Sequence, residues 1–222
     1  VNQTTQAFFI HRSPFSTKTQ LNSFFSKEQG LLELVSFPSK KQAPLFPFGL
    51  YELEFTINPK FGQGTLRNAT PIEWFNTQDF DPHVIAIRYF MADVVYQSIA
   101  YKNKDEEAFN MLVSLKNDLA QQADYYAYPC VFLAQWMKAL GILPEPLEQA
   151  NVFNMHEGVF HYDKQVNPSS GAAAFNSLIQ NHIQENKRAL KEALDLMLEY
   201  IELHVPKFNV NNTRMIIHEI FH

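Results

Sequence analysis

Between Ala7 and Phe55 the chain reads as short strands separated by turn residues, and this run limits the possible folds more than any other part of it. Residues 5–12 alternate as a first strand, and Ser13-Pro14-Phe15-Ser16 is turn chemistry. Residues 18–26 and 31–37 flank Lys27-Glu28-Gln29-Gly30, a short hairpin loop with glycine where a positive φ is wanted. Pro38, Pro44 and Pro47 then break the chain into a loop carrying Lys40 and Lys41. Residues 50–57 interleave Tyr51, Leu53 and Phe55 with two glutamates, and Asn58-Pro59-Lys60 and Gly62-Gln63-Gly64 mark a turn before a strand over 65–73. Five short strands in about 70 residues predict a small Greek-key barrel of the OB type.

The texture changes at Asp81-Pro82, an N-cap followed by proline at the first helical position. Val84, Ile87, Met91, Val94, Val95 and Ser98 then recur at helical spacing. A second helix is expected over 105–121, opening on Asp105-Glu106-Glu107, which suit the helix dipole, and a third over 129–140, stopped by Gly141 and Pro144. Residues 152–162 break the rhythm and predict a small hairpin, and Asn167-Pro168-Ser169-Ser170-Gly171 reads as a loop. Residues 187–204 carry Leu190, Leu194, Met197, Ile201 and His204 along one stripe of an amphipathic helix, Pro206 ends it, and 212–221 forms a short final helix. The expected architecture is α+β: an OB-fold barrel at 1–76, then a mostly helical domain at 77–222 with a β-hairpin at 152–162.

A chain of 222 residues with 46% hydrophobic and 18% charged side chains buries a real core, which excludes global disorder. With 20 phenylalanines and 7 glycines, aromatic rings should dominate the packing. A lone Cys130, read as a buried small hydrophobe, excludes an internal disulfide framework and a multi-cysteine zinc site, and suits a reducing cytosol. No secretory signal is read at polar Asn2–Thr5, and no apolar run reaches the roughly 20 residues of a membrane helix, so a soluble protein without a membrane partner is expected. The net charge of -5 is unevenly spread: residues 1–75 hold seven basic and five acidic side chains, the other 147 hold eleven and eighteen. A polyanion should prefer the first third.

Three phrases in that first third carry a resemblance: Ala7-Phe8-Phe9-Ile10-His11-Arg12, Phe24-Phe25-Ser26-Lys27-Glu28-Gln29-Gly30, and Leu45-Phe46-Pro47-Phe48 leading into Leu50-Tyr51-Glu52-Leu53-Glu54-Phe55. In that order and spacing they resemble the N-terminal OB-fold of RecO, the bacterial DNA-repair and recombination mediator family. Further along, the helix at 82–101 with Asp93 and Tyr96, the stretch Phe132-Leu133-Ala134 to Leu140-Gly141-Ile142, and Tyr200-Ile201-Glu202-Leu203-His204 followed by Arg214 and Ile220 keep the family's order. The chain departs from the family at Phe37-Pro38-Ser39-Lys40-Lys41, where much of a basic loop is missing, and at Thr17, where an acid is usual. Many members bind zinc through four cysteines after the Leu-Gly helix. Residues 142–171 contain no cysteine, so a zinc-free member is expected, its hairpin held by packing.

The resemblance implies single-stranded DNA binding on the barrel, annealing of complementary strands, exchange of single-stranded-DNA-binding protein (SSB) for recombinase, docking of the SSB C-terminal tail, and contact with RecR. It also implies a cytoplasmic, nucleoid-associated protein. An OB face holds strands through cations on phosphates and aromatics on bases. The candidates are Arg12, Lys18, Lys27, Lys40, Lys41, Lys60 and Arg67, with Phe15 and Phe37 for stacking. The alternative makes the charges a solvated rim and the two phenylalanines core. A pocket for an acidic, Phe-ended tail needs apolar walls and a cation, which Trp136, Lys138, Arg88, Lys102 and Lys116 could supply, although Trp136 also reads as ordinary core.

His156, His161 and Asp163 invite comparison with a metal site, since five-residue spacing in a hairpin puts the two histidines on opposite strands. Lone histidines beside Phe and Val are ordinarily surface or hydrogen-bonded residues, and His218 and His222 lack a third ligand, so no metal or cofactor is expected. No G-x-S-x-G, H-E-x-x-H, GxGxxG or P-loop pattern occurs, and the sequence reads as no enzyme. The reading is a recombination mediator working by binding. Its rival is a protein-interaction scaffold of the same fold with weak or no DNA contact, and a distant third is a small hydrolase using the hairpin histidines.

Overall fold

Strand β1 (Asn2–Pro14) is longer than the alternation over 5–12 predicts, and its length closes the sheet on itself. Its first half pairs antiparallel with β4 (Leu50–Ile57), from Asn2↔Thr56 to Phe8↔Leu50. Its second half pairs with β2 (Gln20–Ser26), from Ala7↔Ser26 to Pro14↔Gln20, with a register shift between Phe9 and His11. A bulge of this kind bends a strand sharply, which lets one strand serve both neighbours. Strand β2 continues into β3 (Gly30–Ser36) through a turn in which Gly30 takes φ 68°, the positive value its position in the sequence asks for. Strand β3 runs parallel to β5 (Gly64–Pro71) at Leu34↔Gly64 and Val35↔Thr65, and β5 returns antiparallel along β4. The order β1-β2-β3-β5-β4 is a closed five-stranded OB barrel.

The computed structural model describes residues 2–37, 44–58, 60, 62–73, 80–99, 104–119, 121, 125–165, 169–182 and 186–218. It falls into two compact units, Val1–Lys116 and Asn117–His222.

In the first unit the barrel interior holds Ala7, Phe9, Phe24, Leu34, Tyr51, Leu53 and Phe55, with Phe9 and Phe24 at 5.6 Å between ring centroids. From Phe8 onward the outer faces of β1, β2 and β3 are largely covered as well. Phe8 and Phe25 point outward, yet are fully buried against Phe109 of α2 (Glu106–Leu119), at 5.4 and 6.1 Å. The adjacent pairs Phe8-Phe9 and Phe24-Phe25 thus divide between two cores. Helix α1 (Pro82–Ser98) starts as the sequence predicts, the Asp81 carboxylate accepting from His83 N at 2.8 Å with Pro82 in the first turn. It lies against β1 through Tyr96, which stacks on His11 at 4.2 Å with rings 11° apart. By contrast, Gln6, Glu52 and Glu54 leave the outer face of β4 and of early β1 open and acidic.

The second unit packs α3 (Tyr128–Ala139), α4 (Ser170–Ile179) and α5 (Lys187–His204) together, with α6 (Val210–His218) against α5. The stripe Leu190, Leu194, Met197 and Ile201 is buried as predicted, while half-buried His204 meets the Met155 carbonyl at 2.8 Å. The expected hairpin is present as β6 (Val152–Asn154) and β7 (Val159–His161). A ring cluster holds it. Phe153 lies 4.6 Å from Phe160, 5.2 Å from Phe175 and 5.2 Å from Tyr200, and Phe160 lies 5.3 Å from Phe175. The Asn151 side chain clamps Asp163, donating to its carbonyl at 2.7 Å and accepting from its N–H at 2.8 Å.

Two expectations are corrected here. Ser170 and Gly171 are not loop but the first turn of α4, capped by the Ser169 hydroxyl, and a side chain on Gly171 would meet the Glu192 backbone at 2.9 Å. His156 lies in the hairpin turn rather than on a strand opposite His161, and both histidines are exposed.

Candidate nucleic-acid interface

The pairs Pro14↔Gln20 and Gln20↔Ser36 bring the β1–β2 turn and the exit of β3 side by side at one rim of the barrel. Phe15 and Phe37, the residues just beyond, are 54% and 62% exposed there. The turn is fixed by its own hydrogen bonds: Phe15 N and Ser16 N donate to the Thr19 carbonyl at 3.0 and 3.1 Å, and Lys18 N donates to Ser16 Oγ at 3.2 Å. It therefore presents an aromatic ring and exposed Lys18 from a rigid base.

Inside this rim lies a polar ladder across three strands. Arg12 Nε donates to Asn22 Oδ1 at 2.9 Å, and Asn22 Nδ2 donates to Ser36 Oγ at 2.7 Å and to the Leu34 carbonyl at 3.3 Å. The guanidinium lies over the Phe9 ring at 5.2 Å, closing the apolar interior with a cation. Burial lowers the Arg12 pKa, the Tyr51 and Tyr89 phenols partly opposing it, and burial raises that of Tyr51, whose hydroxyl accepts from Phe46 N at 2.8 Å. No carboxylate pairs with Arg12 among the described residues, so its outer nitrogens can serve an anion.

The other predicted cations are dispersed. Lys27 belongs to the β2–β3 turn, where it pairs with Glu106 at 3.4 Å. Exposed Lys60 sits in the β4–β5 loop, its N–H on Asn58 Oδ1 at 2.9 Å, and that loop borders β3 because Gly64 lies beside Leu34. Exposed Arg67 is the extra residue of the β5 bulge beside Glu54. Lys40, Lys41 and Lys102 lie outside the described residues.

Of the residues considered for a partner tail, Arg88 is buried and Lys116 pairs with Glu73 in the first unit. In the second, Trp136 is interior, stacked on Phe132 at 6.4 Å, and Lys138 is exposed in the last turn of α3. Cys130 is buried, and burial pushes its thiol up to about 12. Among the described residues no group of three or more His, Cys, Asp and Glu is arranged to hold a metal ion, and no helix is long and apolar enough to cross a membrane.

No family model matches the chain. Among curated relatives, the DNA repair protein RecO of Phocaeicola vulgatus is 23% identical over 241 residues, with 99% of both chains covered. The DNA repair protein RecO of two Bacteroides fragilis strains is 21% identical over 240 residues, again across 99% of each chain. The chain is similar to RecO proteins along nearly its whole length. Its barrel-then-helices order, with a hairpin between α3 and α4, is the order the resemblance implied. The sequence reading missed one feature of consequence, the covered outer face of late β1, β2 and β3; the doubled aromatics Phe8-Phe9 and Phe24-Phe25 were its available signal.

Proposed function

We propose that this protein is a RecO-family DNA repair protein that binds single-stranded DNA at the rim of its barrel and anneals complementary strands. The single observation that carries the reading is the rim itself, where exposed Phe15 and Phe37 share one end of the barrel with exposed Arg12 and Lys18. Stacking rings beside cations are what an unpaired strand needs, because every base offers a π-face and every nucleotide a phosphate. The name shared by the relatives, DNA repair protein, supports the same reading.

The mechanism is binding: rings and cations hold the strand, and no bond of the DNA is made or broken. The protein assists exchange of SSB for recombinase, taking the acidic SSB tail on its helical part, where Lys138 is the exposed cation on α3, and meeting RecR. We keep 1–76 as the OB domain, 77–222 as the helical domain and the cytoplasm as the working compartment.

The test is fluorescence anisotropy of a labelled single-stranded oligonucleotide at several salt concentrations. Binding that weakens linearly in log–log form is expected, since each neutralised phosphate releases counterions. Absence of binding even at low salt favours the scaffold reading, for which the acidic outer face of β4 is the supporting observation.

A further inference from the structure

Tyr89 stands two turns before Tyr96 on α1, and so on the same helix face. That face is fixed against β1, because Tyr96 stacks on His11 at 4.2 Å. Arg12 is the next residue along the strand, and the Tyr89 phenol lies within electrostatic reach of its guanidinium. Tyr51, whose ring belongs to the barrel core, feels both Arg12 and Arg88, the chain neighbour of Tyr89. Phe80, just before α1, meets Phe46 edge-on at 5.9 Å, and Phe46 N donates to the Tyr51 hydroxyl at 2.8 Å, so the start of α1 lies at the barrel mouth by the end of the Tyr51 side chain. Tyr89 nevertheless keeps 50% of its surface exposed.

The surroundings give that exposure a direction. The outer faces of late β1, β2 and β3 are largely covered, with Phe8, Phe25, Leu31 and Val35 buried, and the outer face of β4 is acidic. An OB fold ordinarily presents its β2–β3 face to an oligonucleotide, and here that face is covered. A strand passing Phe15 and Phe37 can continue over the Arg12 guanidinium and onto α1.

We propose that Tyr89 is a base-stacking residue, a third aromatic platform that carries the single-strand interface off the barrel and onto α1 beside Arg12. This deepens the DNA-binding reading above and rests on it. Arg12, held by Asn22 and Phe9, takes a phosphate, and the Tyr89 ring takes an adjoining base.

The test compares wild type with Tyr89→Ala, Tyr89→Phe and Phe15→Ala, using anisotropy with labelled oligothymidine and quenching of a 2-aminopurine oligonucleotide. Thermal unfolding checks that each variant folds. The expected result is affinity reduced about fivefold or more by Tyr89→Ala but within about twofold of wild type for Tyr89→Phe, since stacking needs the ring and not the hydroxyl. Quenching should fall with Tyr89→Ala. If Phe15→Ala weakens binding and Tyr89→Ala does not, the inference is overturned while rim binding stands. Equal losses for Tyr89→Phe and Tyr89→Ala also overturn it, by assigning the effect to the hydroxyl. If neither Phe15→Ala nor Tyr89→Ala matters, rim binding and the inference fall together.

Discussion

Arg12 Nε donates to Asn22 Oδ1 at 2.9 Å, and the acceptor belongs to a fully buried side chain that also bonds Ser36. An asparagine in this position spends both ends of its amide, tying a cation on β1 to a hydroxyl on β3. Replacing it with alanine leaves the Ser36 hydroxyl and the guanidinium without their partner. Asn22→Ala should cost about 1–3 kcal/mol of stability, read as a lower urea midpoint. It should also weaken single-strand binding, because Arg12 loses the bond that orients it.

Gly64 is where β5 meets β3, and a side chain there would run into Leu34 Cδ2 and lie 3.4 Å from the Glu33 carbonyl. Leu34 is completely buried, so its side chain would have to shift within the core. Gly64→Ala should therefore destabilise the barrel by about 1–3 kcal/mol, in the range of overpacked cores. An unchanged urea midpoint would mean the β3–β5 closure is looser than described.

Most of the barrel was legible because its inward residues alternate: Tyr51, Leu53 and Phe55 face the core while Glu52 and Glu54 face water. Asp81-Pro82 announced α1 for an equally local reason, a carboxylate that caps and a ring that fits the first turn. What was not legible depends on partners far along the chain. Phe8 and Phe25 look like interruptions of a two-residue period until Phe109 of α2 covers them. Helix α4 was hidden by Ser170-Gly171, which reads as loop; the Ser169 hydroxyl caps the helix there, and glycine stands at 171 because α5 approaches too closely for a side chain. Tyr89 escaped notice because only apolar spacing along α1 was informative, and its neighbourhood with Arg12 is tertiary.

The His11 imidazole, stacked on Tyr96, has its pKa lowered by burial, with Asp93 and Glu33 opposing. An unfolded histidine takes its proton near pH 6.5, while the folded protein takes this one only at lower pH. The contribution to stability is therefore full above the ordinary histidine range and is lost as pH falls through the lower folded value. The urea midpoint should drop between about pH 7.5 and about pH 5.5, and His11→Gln should reduce that drop. An identical drop in the variant would remove His11 as a cause.

In the second unit the hairpin depends on rings. Phe160 is buried against Phe153 and Phe175, so Phe160→Ala should cost about 3–5 kcal/mol, as for other buried phenylalanines. Proteolysis should then cut between β6 and β7 faster than in wild type. Unchanged cleavage would mean that the Asn151 clamp alone holds the hairpin.

Binding of a single strand at the barrel rim is tested by the double variant Phe15→Ala/Phe37→Ala. Both rings are more than half exposed, so their loss should leave folding intact. Anisotropy with one oligonucleotide at one salt concentration should show affinity about tenfold or more below wild type, two stacking contacts being removed. Wild-type affinity in the double variant would contradict the account and move the DNA contact, if the protein makes one, away from this rim.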